Sequence, residues 1–203
     1  MSKFKVVQIL FVLLFLSSIA LYYLQYIDLW VVLSTAFVYI CILAWGSSRL
    51  KAGFFSPSVS KLKEEKQIAL TFNDGPNENT LEVLKILDNH EVKATFFCQG
   101  SQIESHPEIV KAIAESGHTI ANHSYSRPSS WGWLSSKKIN QEITKTQVAI
   151  ETVTGQKNTF FRPPFGVTNR KIAKAVKQHN LQVIGWDLQS GDRKIEEPKK
   201  LWE

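Results

Sequence analysis

Cysteine, glycine and proline are scarce in this chain: 2, 10 and 7 among 203 residues. Two cysteines, Cys41 in an apolar run and Cys98 far away in a strand-like one, cannot build a disulfide framework. No CxxC pair and no Cys/His cluster is present, which argues against a structural zinc site. The glycine and proline counts exclude collagen-like and low-complexity chains. Charged residues make up only 21% against 44% hydrophobic, with twelve Phe, a composition that buries a core instead of staying disordered. A concentrated positive patch is also missing. Through Lys51 the cations Lys3, Lys5, Arg49 and Lys51 face only Asp28, and the remainder carries 20 basic and 17 acidic residues. The formal charge of +6 is therefore dispersed, without the basic stripe interleaved with aromatics that a phosphate backbone requires, and no nucleic-acid partner is expected.

What is present, first, is apolar sequence. From Val6 to Trp45 the only charged residue is Asp28, and the polar Gln25-Tyr-Ile-Asp28 break divides two predominantly apolar runs of 19 residues (6–24) and 17 residues (29–45). A membrane-crossing helix needs about 20 residues, so the pattern predicts a transmembrane hairpin turning at Gln25–Asp28. A cleaved signal peptide is the rival reading, but the run is too long and no small-x-small site follows it closely. Residues 1–51 are thus expected to be a membrane anchor, 52–66 a short polar linker and 67–203 the soluble domain. The cations flanking the hairpin would place both its ends in the cytoplasm by the positive-inside rule, which a large translocated domain can override.

After Lys66, short apolar runs alternate with helical periodicity. Ile68–Phe72, Ala94–Cys98, Thr119–Asn122, Phe160–Phe161 and Gln182–Trp186 read as strands. Asn79–His90, Ile109–Ala114, Ser135–Thr154 and Arg170–Gln178 read as helices, with Pro107 near the start of one and Gly117 and Gly155 past the ends of two. Serial β-α units predict an α/β fold with a parallel sheet, open or closed into a barrel. Chemistry in such folds gathers where strands end. Polar punctuation falls there: Asn73-Asp74-Gly75-Pro76, His123-Ser124-Tyr125-Ser126-Arg127-Pro128, Arg162-Pro163-Pro164-Phe165-Gly166, and Asp187 to Asp192. Each segment alone could be only a turn; four at successive strand ends suggest a site.

The order TFNDGP, NHSYSRP, FRPPFG and GWDLQSGDR closely resembles the polysaccharide deacetylases, the NodB-homology group or carbohydrate esterase family four, over roughly Ile68 to Arg193. The resemblance implies an incomplete distorted (β/α) barrel preceded by the transmembrane hairpin. It implies metal-dependent hydrolysis of N-acetyl groups on cell-wall peptidoglycan or chitin-type polysaccharides, using zinc or a similar divalent metal. In that chemistry the metal polarises the acetyl carbonyl and lowers the pKa of a bound water, and a carboxylate takes the water's proton. Carried over, Asp74 and His123 are metal ligands, Arg162 orients the base, the Phe165 N–H lines the oxyanion site, and Asp192 orients a late catalytic His. Tyr125, Trp131, Trp133 and Phe165 are the sugar-stacking candidates, with core or groove packing as the alternative for each.

The sequence departs from the family pattern in three places. Asn73 stands where the base carboxylate belongs, and an amide accepts no proton at neutral pH. Arg127 stands at the third metal ligand; it stays protonated and puts a positive charge where a dication would sit. Arg193 replaces the aromatic after the fourth motif's Asp. The leucine-x-histidine motif would fall beyond Glu203, so the domain is expected to lack its C-terminal strands, and His179, on a helix, is in no position to substitute. Two readings follow: an anchored, extracytoplasmic deacetylase of impaired activity, or a non-catalytic glycan-binding pseudoenzyme or truncated relic.

Overall fold

A computed structural model describes residues 2–62 and 67–190. Two long apolar helices open the chain, α1 (Lys3–Tyr23) and α2 (Leu29–Ser48). Ser2 caps α1 by accepting the Lys5 N–H. The two helices pair through Phe11 and Tyr39, whose rings stack 3.8 Å apart. Both are long and apolar enough to cross a membrane, and little of either is covered by the rest of the chain.

The remaining elements build one parallel sheet. They are β1 (Ser58–Val59), β2 (Leu70–Gly75), α3 (Asn79–Asn89), β3 (Ala94–Cys98), α4 (Gly100–Ser105), α5 (Pro107–Glu115), β4 (Thr119–Asn122), α6 (Ser136–Thr154), β5 (Phe160–Phe161), α7 (Arg170–Gln178) and β6 (Gln182–Ile184). The order across the sheet is β1-β6-β5-β4-β3-β2, every pair parallel. Strands that neighbour their successors follow the order of a barrel, opened here between β1 and β2. The expected fold class is therefore observed, as an incomplete (β/α) barrel.

Within the segment expected to be only a polar linker, Ser58 and Val59 pair with Val183 and Ile184 of β6. Two residues carry no readable periodicity, and an edge strand of that length is specified by its partner. Conversely, Asn73-Asp74-Gly75 is not a turn after the strand. It lies inside β2, which bulges between Asn73 and Gly75, and a bulge of this kind re-aims a side chain.

Helix α6 packs against β4 and against α4, α5 and α7, and contributes to both halves of the core. Ala149 and Ile150 pack with Leu84, Phe96, Cys98, Ile109 and Ile113, while Ile139 and Ile143 pack with Leu50, Trp131, Phe161, Ile172 and Val183. Burial pushes the Cys98 thiol up to about 12, so it acts as a small apolar side chain.

His118 joins the starts of β3 and β4. Its Nδ1 accepts the Ala94 N–H at 3.2 Å, which leaves the proton on a buried Nε2 that finds no partner among the described residues. Burial, aided by Lys93 and opposed by Asp88, holds His118 below its ordinary pKa of 6.5. The unfolded chain then takes up a proton that the folded one resists, so this contribution is complete above about pH 6.5 and is lost as the pH falls below it. We expect the urea midpoint to drop between pH 7 and pH 5. The His118→Gln variant, which cannot titrate, should show a flatter profile; an unchanged slope would remove His118 as its source.

Candidate functional site at the strand ends

The polar segments converge at the C-terminal end of the sheet. Asp74 is the bulged residue of β2, with φ at 66°, and Ser124, Arg127 and Phe165 also have positive φ, at 66°, 45° and 58°. Left-handed backbone is costly for residues other than glycine, and clusters of it mark constrained sites.

Three groups meet at Asp74 Oδ1: Arg127 Nε at 2.7 Å, His123 Nε2 at 3.4 Å and Gln99 Nε2, which donates at 3.3 Å. The far nitrogen of His123, Nδ1, lies 2.7 Å from the Arg162 carbonyl. A carbonyl only accepts, so Nδ1 carries a proton and Nε2 is directed into the site. The Arg127 guanidinium also sits over the Phe165 ring, 4.5 Å from its centroid. Arg127 is therefore held from two sides, by a carboxylate and by an aromatic face.

Arg162 forms the floor. Its side chain is buried, donating from Nη1 to Thr71 Oγ1 and Asn73 Oδ1, both at 2.9 Å, from Nη2 to the Gly185 carbonyl at 2.8 Å and from Nε to the Ile184 carbonyl at 3.3 Å. Its guanidinium also lies 3.9 Å from the Phe97 ring centroid. Burial pushes it down to about 10, still a cation at neutral pH.

The loop after β4 is held by a residue with no counterpart in the motif reading. Buried Glu142 on α6 accepts from the Tyr125 and Ser126 N–H groups at 3.1 and 2.8 Å and from the Ser126 hydroxyl at 3.0 Å. Asn122 adds the Ser124 N–H at 2.9 Å, and the Ser124 hydroxyl accepts from Arg127 N at 3.1 Å. Gln99 was equally unanticipated; its one signal is that it directly follows β3, the strand end that carries no polar motif.

The aromatic candidates separate. Trp131 is fully buried against Phe161, and its Nε1 donates to the Val167 carbonyl at 3.3 Å, so this expected stacking residue is a core residue with no open face. Tyr125 is turned to Glu104, whose carboxylate accepts its hydroxyl at 2.8 Å, and to Lys145. The Glu104 hydrogen bond raises the Tyr125 pKa. Phe165 and Trp133 are exposed. Asp192 and Arg193 lie outside the described residues.

These groups do not fit a divalent metal. Asp74 Oδ1 and His123 Nε2 are spaced as two ligands of one ion could be, with bonds of about 2.0–2.2 Å each. The third member, however, is a guanidinium, which has no lone pair to give and occupies the carboxylate oxygen itself. No group of three His, Cys, Asp or Glu that could hold a metal ion occurs among the described residues. Asn73 likewise presents its amide oxygen to Arg162, as an acceptor and not a base.

A parallel sheet in barrel order, with these motifs at its strand ends, defines a carbohydrate-esterase type of domain. The polysaccharide deacetylase family model matches residues 60–184, and the chain belongs to that family. The peptidoglycan-N-acetylglucosamine deacetylase PgdA of Listeria monocytogenes is 40% identical over 139 residues, 68% of this chain and 29% of that protein. The peptidoglycan-N-acetylmuramic acid deacetylase PdaC of Bacillus subtilis is 36% identical over 138 residues, again 29% of its length. The chain thus spans less than a third of these relatives. Among solved structures, a CE4 family pseudoenzyme from Bacillus anthracis superposes with a TM-score of 0.67 at 32% identity, covering 71% of this chain and 52% of that one. A family 4 carbohydrate esterase from Streptomyces lividans, solved with acetate, gives 0.64 at 32% identity, covering 68% and 71%.

Proposed function

We propose that this chain is a membrane-anchored member of the polysaccharide deacetylase family that engages N-acetylated cell-wall glycan without hydrolysing it. The observation that carries this reading is the Arg127–Asp74 ion pair at 2.7 Å, which sets an internal cation on the carboxylate that would otherwise receive a metal. Asn73 removes the base as well, a loss of about 10²–10⁴-fold wherever general-base catalysis operates. Peptidoglycan is the glycan class supported by the relatives, and the Bacillus anthracis neighbour is itself described as a pseudoenzyme.

In this reading Asp74 and His123 are the remaining part of a ligand set and Arg162 holds residue 73 in place. The Phe165 N–H and ring face the acetyl group and sugar. The two apolar helices anchor the domain, with the domain on the extracytoplasmic side, where such polymers lie. The test uses the full chain in mild detergent with N-acetylated peptidoglycan and added zinc. The expected result is co-sedimentation with the glycan and acetate release no higher than a protein-free control. Zinc-dependent acetate release would overturn the non-catalytic reading, and failure to sediment would overturn glycan binding.

A further inference from the structure

The last turn of α2 is not a loose tether. Thr168 N–H donates to the Ser47 carbonyl at 3.0 Å, and the Ser47 hydroxyl donates back to the Thr168 carbonyl at 2.7 Å. Thr168 is three residues beyond Phe165, in the loop that forms one wall of the site. Leu50, just past the helix, is buried in the core with Trp131 and Phe161. The start of α1 is fastened to the same place, Lys3 Nζ donating to the Ala52 carbonyl at 2.7 Å and the Phe4 N–H to the Phe54 carbonyl at 3.1 Å. Phe54 is itself buried so closely over Gly46 that a Cβ there would meet its ring at 2.3 Å.

Two exposed apolar side chains are tied to this junction. Trp133 is 89% exposed, and the carbonyl of its neighbour Gly132 accepts from Asn169 Nδ2 at 2.8 Å, one residue from the Thr168–Ser47 contact. Leu188 is 91% exposed and follows Asp187, which pairs with Lys51 and, at 3.2 Å, with Lys61. Those lysines, Lys51 foremost, hold the Asp187 carboxyl below its usual range. Single exposed apolar residues are ordinary. Leu188 is tied through Asp187 to the stretch of chain leaving α2, and Trp133 is tied through Asn169 to the loop that Ser47 of α2 holds.

Helix α2 has 20 residues, about 30 Å at 1.5 Å per residue, which matches the hydrocarbon thickness of a bilayer. With the hairpin inserted, Ser47 reaches the edge of the hydrocarbon, and groups one or two residues removed from it fall in the headgroup layer. Tryptophan is favoured there because its ring is apolar and its N–H is not. Lys3, Lys5, Arg49 and Lys51 add cations suited to anionic headgroups.

We infer that the rim of the candidate site carrying Trp133 and Leu188 rests in the headgroup layer of the bilayer that receives the hairpin, so that glycan reaching Phe165 and Arg127 does so beside the membrane face. This rests on the anchoring reading proposed above.

The test is collision-based depth measurement on the full chain in phosphatidylcholine–phosphatidylglycerol vesicles. Nitroxide labels are placed one at a time by Trp133→Cys, Leu188→Cys, Leu13→Cys and Ile86→Cys in a Cys41→Ala background, Cys98 being buried. Leu13 reports the hairpin, and Ile86, exposed on α3 towards the opposite end of the sheet, reports water. Labels at 133 and 188 are expected to favour oxygen over a water-soluble nickel chelate by at least threefold relative to the label at 86. Either of them matching the label at 86, with the label at 13 in lipid, overturns the surface contact and leaves the anchor standing, and Trp133 would then be free for sugar stacking. A water-accessible label at 13 overturns both.

Discussion

The chain as it stands is expected to take up no stoichiometric zinc, and replacing Arg127 by histidine is expected to create uptake. The substitution removes the guanidinium from Asp74 Oδ1, 2.7 Å away, and supplies an imidazole beside His123, whose Nε2 already faces the same oxygen at 3.4 Å. Catalytic zinc sites commonly use three protein ligands of these types. The expected gain in zinc or cobalt affinity is at least about 100-fold, or roughly 2.7 kcal/mol, read by titration calorimetry or by the cobalt absorption spectrum. Binding and turnover should separate: adding Asn73→Asp restores a carboxylate on Arg162 and is expected to raise acetate release about 100-fold above Arg127→His alone. A folded Arg127→His variant that binds no metal would show that the ion pair is not what excludes it.

The Arg162→Met variant is expected to lose about 3–5 kcal/mol of stability, because removing one partner of a buried charged network leaves the others unsatisfied. Thr71, Asn73 and the carbonyls of Ile184 and Gly185 each lose a donor. The Arg162→Lys variant keeps the charge but not the planar fork that reaches four acceptors across β2 and β6, so it should recover only part of the loss. Urea unfolding of the full chain in mild detergent, followed by near-ultraviolet circular dichroism, measures both. A loss below about 1 kcal/mol for Arg162→Met would mean that water replaces the guanidinium and that Arg162 is not the floor of the site.

These two arginines differ in how far the sequence alone explains them. Arg162 sits in FRPPFG, and its motif position matches its place beside residue 73. Arg127 is readable as a cation where a ligand is expected, but nothing local says that it turns onto Asp74 and Phe165. That pairing joins residues 53 positions apart in the chain, and it depends on left-handed backbone at both ends. Gln99 and Glu142 were invisible for the same reason, since each acts on a segment brought to it only by the packing of β3 and α6.

The apolar hairpin, the parallel β-α order and the motif residues at strand ends were legible before folding is considered. These features are local: a predominantly apolar stretch of 17 or 19 residues, a period of 3.6 or 2, or a fixed string is complete within its own window. Only the folded chain makes Ser58–Val59 the edge strand beside β6. It also decided that, of the two tryptophans in one turn of 3₁₀ helix, Trp131 is core and Trp133 is surface. Likewise it decided that the site's cation belongs to the protein. Each of these is a choice of non-local partner, fixed by which face is buried and which charge lies nearest, and neither quantity exists until the chain is folded.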